Sequence, residues 1–146
     1  MTRTAAIALS SILVSGCAAA IPSGSTGTSE ALFTSGSAIP ARVAIRTELI
    51  QHYDPVGDVL RIELPAQGFV VTATDADATF VVDVKYSDYS PVELTLTLRD
   101  AASDQVLWRA YVVKKWDLYA SVVSASESNA RRALQLLRRD VAAHKE

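Results

Sequence analysis

The strongest constraint on the fold is a run of alternating apolar and polar residues in the second half of the chain. Apolar side chains occupy every second position of residues 92–99, namely Val92, Leu94, Leu96 and Leu98. Such alternation is typical of a β-strand with one buried face. An apolar run returns in residues 106–114 after a loop at 100–104, which predicts an antiparallel hairpin. Another strand is predicted before it, from the shared face of Phe80, Val82, Val84 and Tyr86.

The sequence also predicts two helices. Residues 124–127 read Ser-Ala-Ser-Glu and match a capping box, a pattern typical of a helix start. Apolar residues then recur with helical spacing at Ala130, Ala133, Leu134, Leu137 and Val141. Asp54 and Pro55 predict an earlier helix start. The apolar residues at positions 56, 60 and 64 have the spacing of a helix, whereas those at positions 60, 62 and 64 have the spacing of a strand. We favour a short helix. It would end before Pro65 and be followed by a turn that closes at Gly68.

With a further strand at residues 41–46, these elements predict an α+β fold. We expect a single antiparallel-rich sheet with two helices packed on one face. Residues 41–146 are long enough to bury one core. The 146-residue chain has 14 Lys and Arg against 16 Asp and Glu, a balance that argues against nucleic-acid binding. One Cys and two His make a disulfide framework and a metal centre poor candidates, so we expect no cofactor.

The first residues of the chain read as a secretion signal. Arg3 supplies a positive charge, and residues 5–14 form an uncharged stretch of ten residues. A helix needs about 20 residues to span the hydrocarbon core of a membrane, so this stretch is too short to do so. A basic start followed by a short apolar run is instead typical of a signal peptide. The next residues are Val14, Ser15, Gly16 and Cys17.

This tetrapeptide resembles the lipobox of bacterial lipoproteins. The resemblance implies that the signal peptide comprises residues 1–16 and that Cys17 becomes the acylated amino terminus. Two or three acyl chains give stable membrane attachment, whereas one chain binds only marginally. Ala18 stands where the inner-membrane retention signal of this family has Asp. We therefore expect an outer-membrane lipoprotein whose domain faces the periplasm.

Residues 18–40 are rich in Ser, Gly, Thr, Ala and Pro and carry a single charge, at Glu30. A stretch of this composition buries too little apolar surface to offset the entropy of ordering it. We therefore expect residues 17–40 to be the lipidated Cys and a flexible tether, and residues 41–146 to be the domain. As a flexible coil, the tether would have a root-mean-square span of roughly 25 Å.

A second resemblance concerns the domain itself. Residues 60–84, including the run Gly68-Phe69-Val70-Val71, and the hairpin ending at Trp108 resemble small YajG-type envelope lipoproteins. More remotely, they resemble relatives of the curli-assembly and lipopolysaccharide-assembly lipoproteins. The resemblance implies an assembly accessory or partner-binding module rather than a catalyst.

No arrangement typical of an enzyme emerges from the sequence. His52 lies in a polar turn and His144 is close to the carboxyl end, and neither belongs to a nucleophile motif. Asp75 and Asp77 could be a carboxylate pair for glycoside hydrolysis. Their context, Thr-Asp-Ala-Asp, is more typical of a turn. We expect that the protein is not an enzyme.

Charge is distributed unevenly along the chain. Residues 54–104 hold ten acidic and three basic side chains, a net charge of −7, whereas residues 105–146 hold eight basic and four acidic ones, a net of +4. Two candidate partner-binding groups follow. The first is a basic stripe on the last helix, made of Arg131, Arg132, Arg138 and Arg139. The second combines aromatic and basic residues at Lys114, Lys115, Trp116 and Tyr119.

Each group has a plain interpretation as well. The basic stripe fits a solvated helix face, and the aromatic residues fit the edge of the core. As functional surfaces, they favour an adaptor or assembly accessory that binds another envelope protein. The alternative is a peptidoglycan- or lipopolysaccharide-binding module that uses the basic stripe, with anionic glycan or lipid as the partner.

Overall fold

The computed structural model describes residues 24–48, 53–86, 91–115 and 121–146. These segments form one six-stranded sheet with two α-helices. The strands are β1 (Ser25–Ala31), β2 (Arg42–Thr47), β3 (Val70–Val71), β4 (Ala78–Lys85), β5 (Val92–Asp100) and β6 (Val106–Lys114). The helices are α1 (Pro55–Glu63) and α2 (Val122–His144), and a 3₁₀ turn spans Pro65–Gln67.

The strand order across the sheet is β1-β6-β5-β4-β2-β3. Strands β4, β5 and β6 follow one another as antiparallel neighbours, and β1 pairs antiparallel with the outer side of β6. Strand β2 is parallel to both β3 and β4, because the chain crosses over through α1 before it returns to the sheet. The prediction of an α+β fold with a mostly antiparallel sheet is confirmed.

One face of the sheet carries the core. The alternating residues of β5, from Val92 to Leu98, are fully buried, as are Phe80 of β4 and Trp108 of β6. Side chains of both helices belong to the same buried cluster, among them Leu60 of α1 and Leu134 of α2. Burial of a Val, Leu or Phe side chain contributes roughly 1.5–3 kcal/mol, so this cluster dominates stability. That both helices cover the same face stays a prediction.

Helix α1 confirms the helical interpretation of residues 56–64. Asp54 is its N-cap and accepts a hydrogen bond from the backbone N–H of Gly57 at 2.9 Å, and Pro55 occupies the first turn. The strand alternative would place Ile62 on the buried face, yet Ile62 is 76% exposed. The turn after the helix closes at Gly68, whose φ of 92° is a left-handed value that glycine adopts without strain.

Helix α2 begins three residues earlier than the capping box would place its start. The N-cap is Ser121, whose side chain accepts a hydrogen bond from the N–H of Ser124 at 3.1 Å. Ser124 and Glu127 therefore lie inside the helix, and the capping-box assignment is wrong. The predicted apolar spacing is correct, because Ala130, Ala133, Leu134 and Leu137 are buried. Within the described segments, no helix is both long enough and apolar enough to cross a membrane.

Strand β1 corrects the expected tether. Residues 25–31 were predicted to be flexible, but they pair along their full length with β6. The residues of β1 that alternate toward α2 are Ser25, Gly27 and Ser29, so the inner side of the strand is small and polar rather than apolar. A search for apolar alternation cannot detect such a strand. The folded domain therefore includes residues before 41.

Candidate functional site

The start of β1 is fixed to α2 by a buried polar cluster. The Ser25 hydroxyl is 2.8 Å from the Ser128 hydroxyl and donates to the side-chain oxygen of Asn129 at 2.7 Å. Asn129 is fully buried and donates to the carbonyl of Val92 at 2.9 Å. An unsatisfied buried polar group costs about 1–3 kcal/mol, so the hydrogen bond between Ser25 and Asn129 helps to hold β1 against α2.

A second polar cluster fixes the middle of β1. Asp140 of α2 accepts hydrogen bonds from the Ser29 hydroxyl at 2.5 Å, the indole N–H of Trp108 at 2.9 Å and the Nε of Arg139 at 2.9 Å. Partial burial raises the pKa of Asp140, but the bonds from Ser29, Trp108 and Arg139 outweigh it, so the pKa is lowered overall. Asp140 therefore stays charged and holds three elements together.

The basic stripe does not present four equivalent cations. Arg131 forms an ion pair with Glu63 of α1, with 3.1 Å between Nε and Oε1. Arg139 contacts Asp140 and also donates to the Ser29 hydroxyl at 2.9 Å. Both guanidinium groups thus connect elements of the fold. The helical spacing was correct, but sequence alone did not reveal these long-range partners.

The other two arginines of the stripe have looser surroundings. Arg132 donates to the side-chain oxygen of Gln135 at 3.2 Å, and its buried Nε has no hydrogen-bond partner among the residues that the structure describes. Arg138 is exposed and lines a hollow beside the end of α2. Of the two, Arg138 is more accessible to a partner, because Arg132 is only partly exposed.

The second candidate group lies only partly within the structure. Lys114 is the last residue of β6, opposite Ser25 of β1 and Val92 of β5, and Lys115 follows it as an exposed residue. Trp116 and Tyr119 lie outside the described residues, as does Cys17. The prediction that this group binds a partner stays a prediction.

A cleft lies at the carboxyl-terminal end of α2, which the sequence analysis did not anticipate. Its volume is about 470 Å³, and its apolar walls are Ile39, Pro40, Phe69 and Val141. A second hollow of about 320 Å³ shares Phe69 and Val141 with it. Cationic or titratable side chains also line these two cavities: His144 and Lys145 line the cleft, and Arg138 and Lys145 line the smaller hollow. No sequence pattern joins these segments, because they lie far apart along the chain.

Two of the residues considered for catalysis, His144 and Asp77, contact the backbone of other segments of the fold. His144 is 2.8 Å from the carbonyl oxygen of Ser37, and its ring lies 5.3 Å from that of Phe33. Asp77 accepts a hydrogen bond from the backbone N–H of Arg42 at 3.2 Å, which fits the turn interpretation of this stretch. His52 is outside the described residues. Within those residues, no group of three or more His, Cys, Asp or Glu could hold a metal ion.

The geometry can be compared with known proteins. No protein-family model matches the sequence, and no curated protein matches it significantly. Among solved structures, the PelC dodecamer from Paraburkholderia phytofirmans is similar. It is 17% identical, with a TM-score of 0.57, and the alignment covers 78% of this chain and 97% of the PelC chain.

The fold resembles that of PelC. At this level of identity, the likeness to PelC concerns the fold alone. A minor lipoprotein from Acinetobacter baumannii is 14% identical, with a TM-score of 0.40, and the alignment covers 73% of this chain and 94% of that one. A DUF330 protein from Xanthomonas campestris is 15% identical, with a TM-score of 0.41 and coverage of 77% and 89%.

Proposed function

We propose that this chain is a lipid-anchored, non-enzymatic protein of the cell envelope that acts as an adaptor or assembly accessory. The observation that carries the proposal is the sequence Val14-Ser15-Gly16-Cys17 behind a short apolar signal. Acylation of Cys17 confines the domain to a membrane and raises its effective concentration for any partner there. The outer membrane, with the domain facing the periplasm, is the proposed location.

The likeness to PelC supports a role in protein–protein contacts. The PelC structure is a dodecamer, so a domain of this fold is able to form a large assembly. In this chain, the polar residues considered for catalysis serve turns and helix contacts instead. We therefore place the activity on the surface of the domain, at Arg132, Arg138 and the segment with Lys115, Trp116 and Tyr119.

Site-specific photo-crosslinking in living cells tests this function. The crosslinking amino acid is placed at Arg138 or Trp116, and at Ala102 in the β5–β6 turn as a matched exposed control. We expect a discrete crosslinked protein at Arg138 or Trp116, absent at Ala102 and strongly reduced when Cys17→Ser removes the anchor. If neither position captured a protein, or if the capture did not depend on Cys17, the adaptor function would be wrong.

The alternative function, binding of peptidoglycan or lipopolysaccharide, rests on Arg132 and Arg138. Glu63 and Asp140 already neutralise Arg131 and Arg139, which reduces the positive charge available to a polyanion. Binding through exposed charges weakens steeply with ionic strength. Capture of glycan or lipopolysaccharide alone at Arg138, with loss at high salt, would favour this alternative over the adaptor.

A further inference from the structure

The position of β1 shortens the connection between Cys17, the proposed lipid anchor, and the folded domain. The tether predicted from composition spans 23 residues, but the structure begins β1 at Ser25. Only residues 18–23 remain between Cys17 and the first described residue, Gly24. Seven residue steps reach at most roughly 25 Å when fully extended.

The point at which this short connection joins the domain is firmly fixed. Ser25 is buried, pairs with Lys114 at the end of β6, and belongs to the polar cluster with Ser128 and Asn129. Lys114 also pairs with Val92 at the start of β5. Gly24 therefore marks one end of the molecule, which we call the near end. It contains the starts of β1, β5 and α2 and the ends of β4 and β6.

The opposite end, which we call the far end, lies well away from Gly24. Helix α2 runs from the polar cluster at Asn129 to His144, which contacts Ser37. The part of α2 from Asn129 to His144 rises about 23 Å. Strands β5 and β6, nine residues each, span roughly 27 Å between the near end at Lys114 and the β5–β6 turn. The far end contains the β5–β6 turn and the cleft between Ile39, Phe69 and Val141.

We propose that the near end of the domain faces the membrane and that the far end, with its cleft, points away from it. The proposal rests on the acylation of Cys17 in the proposed function. A connection that reaches at most roughly 25 Å is shorter than the roughly 27 Å between the two ends of β5 and β6, so the domain cannot invert fully while Cys17 stays inserted. The near end, with Lys115, thus lies against the lipid surface that holds the acyl chains, and Arg138 at the far end stays accessible to a protein partner.

The charges at the near end are compatible with this orientation but do not impose it. Three of the four lysines of the chain lie there, namely Lys85, Lys114 and Lys115. Lysines near a membrane are attracted to anionic headgroups. However, Asp83 lies 3.9 Å from Lys85, and Glu48 and Glu93 are at the same end. The short connection, rather than net charge, therefore fixes the orientation.

Energy transfer from the domain to the lipid surface tests the orientation. Acylation consumes the thiol of Cys17, so a single introduced cysteine accepts the donor dye. The two positions are Lys85→Cys at the near end and Ala102→Cys at the far end, both exposed. The acylated chain is reconstituted in phosphatidylethanolamine–phosphatidylglycerol vesicles that carry an acceptor dye on their headgroups. We expect transfer several-fold stronger from position 85 than from position 102.

A second variant tests whether the short connection is the cause of this orientation. Twenty Gly and Ser residues inserted between residues 23 and 24 raise the extended reach of the connection from roughly 25 Å to roughly 90 Å. We expect the difference between positions 85 and 102 to shrink strongly while the protein stays on the vesicles. Equal transfer from both positions without the insertion, or a difference that the insertion leaves intact, would overturn the proposal. Release of the uninserted protein from the vesicles would instead contradict lipid anchoring itself, and the orientation would fall with it.

Discussion

Asp140 is the residue at which β1, β6 and α2 meet. It accepts hydrogen bonds from Ser29, Trp108 and Arg139, and its side chain is only 12% exposed. Its pKa lies below the ordinary value of 3.8, since these bonds favour the charged form more strongly than partial burial disfavours it. A carboxyl group with a lowered pKa stabilises the folded state above its unfolded pKa, and this stability is lost as the pH falls through the folded pKa.

We therefore predict that Asp140→Asn destabilises the domain at pH 7 and has a shrinking effect below pH 3.8. The expected loss at pH 7 is about 1.5–3 kcal/mol, the range for hydrogen bonds to charged groups. Urea unfolding from pH 7 to pH 3 measures it. The matched control is Asp83→Asn, which removes an exposed ion pair worth about 0–1 kcal/mol. Equal stability of wild type and Asp140→Asn at pH 7 would refute the role of this carboxylate.

The candidate site shows what the sequence can and cannot predict for single residues. The spacing of the four arginines placed them correctly on one helix. Their contacts depend on partners such as Glu63 and Ser29, which are 68 and 110 residues away. Such pairings arise from the tertiary fold, and no local pattern encodes them. The same reason applies to the cleft around Phe69.

Among the elements, β1 departs most from the prediction. Strands β4, β5 and β6 were predictable because their inner faces are continuous rows of Val, Leu and other apolar residues. The inner face of β1 is Ser25, Gly27 and Ser29, so its stability comes from backbone pairing and from the polar clusters with α2. The N-cap of α2 was misplaced for a simpler reason, since Ser121 and Ser124 both fit the role.

Gly27 allows a direct test of β1 as a packed strand. A Cβ at this position would lie 2.6 Å from the backbone oxygen of Tyr111 and 2.8 Å from a methyl carbon of Val112. We expect Gly27→Ala to destabilise the domain by about 1–3 kcal/mol through overpacking. Thr28→Ala, on the exposed side of the same strand, should cost less than about 1 kcal/mol. Urea midpoints that stay at the wild-type value for Gly27→Ala would indicate that β1 is not packed.

At the scale of the whole molecule, the proposed anchor and the fold together determine the proposed orientation. The sheet and α2 hold Gly24 at one end of the domain, and the lipobox resemblance places the acyl chains seven residues before it. The predicted fold class was correct because most of the core follows simple periodicity. The proposed orientation could not be inferred from sequence, because it depends on β1, and the composition of residues 18–40 predicts no strand there.

The central claim is that Cys17 becomes the acylated amino terminus of the mature protein. Mass spectrometry of the amino-terminal peptide, on protein purified from membranes of its own host, tests this claim most directly. We predict a peptide that begins at Cys17 and carries a diacylglyceryl group and an amide-linked acyl chain, with neither modification in Cys17→Ser. A mature protein with an unmodified Cys17, or with the signal removed elsewhere, would contradict the account.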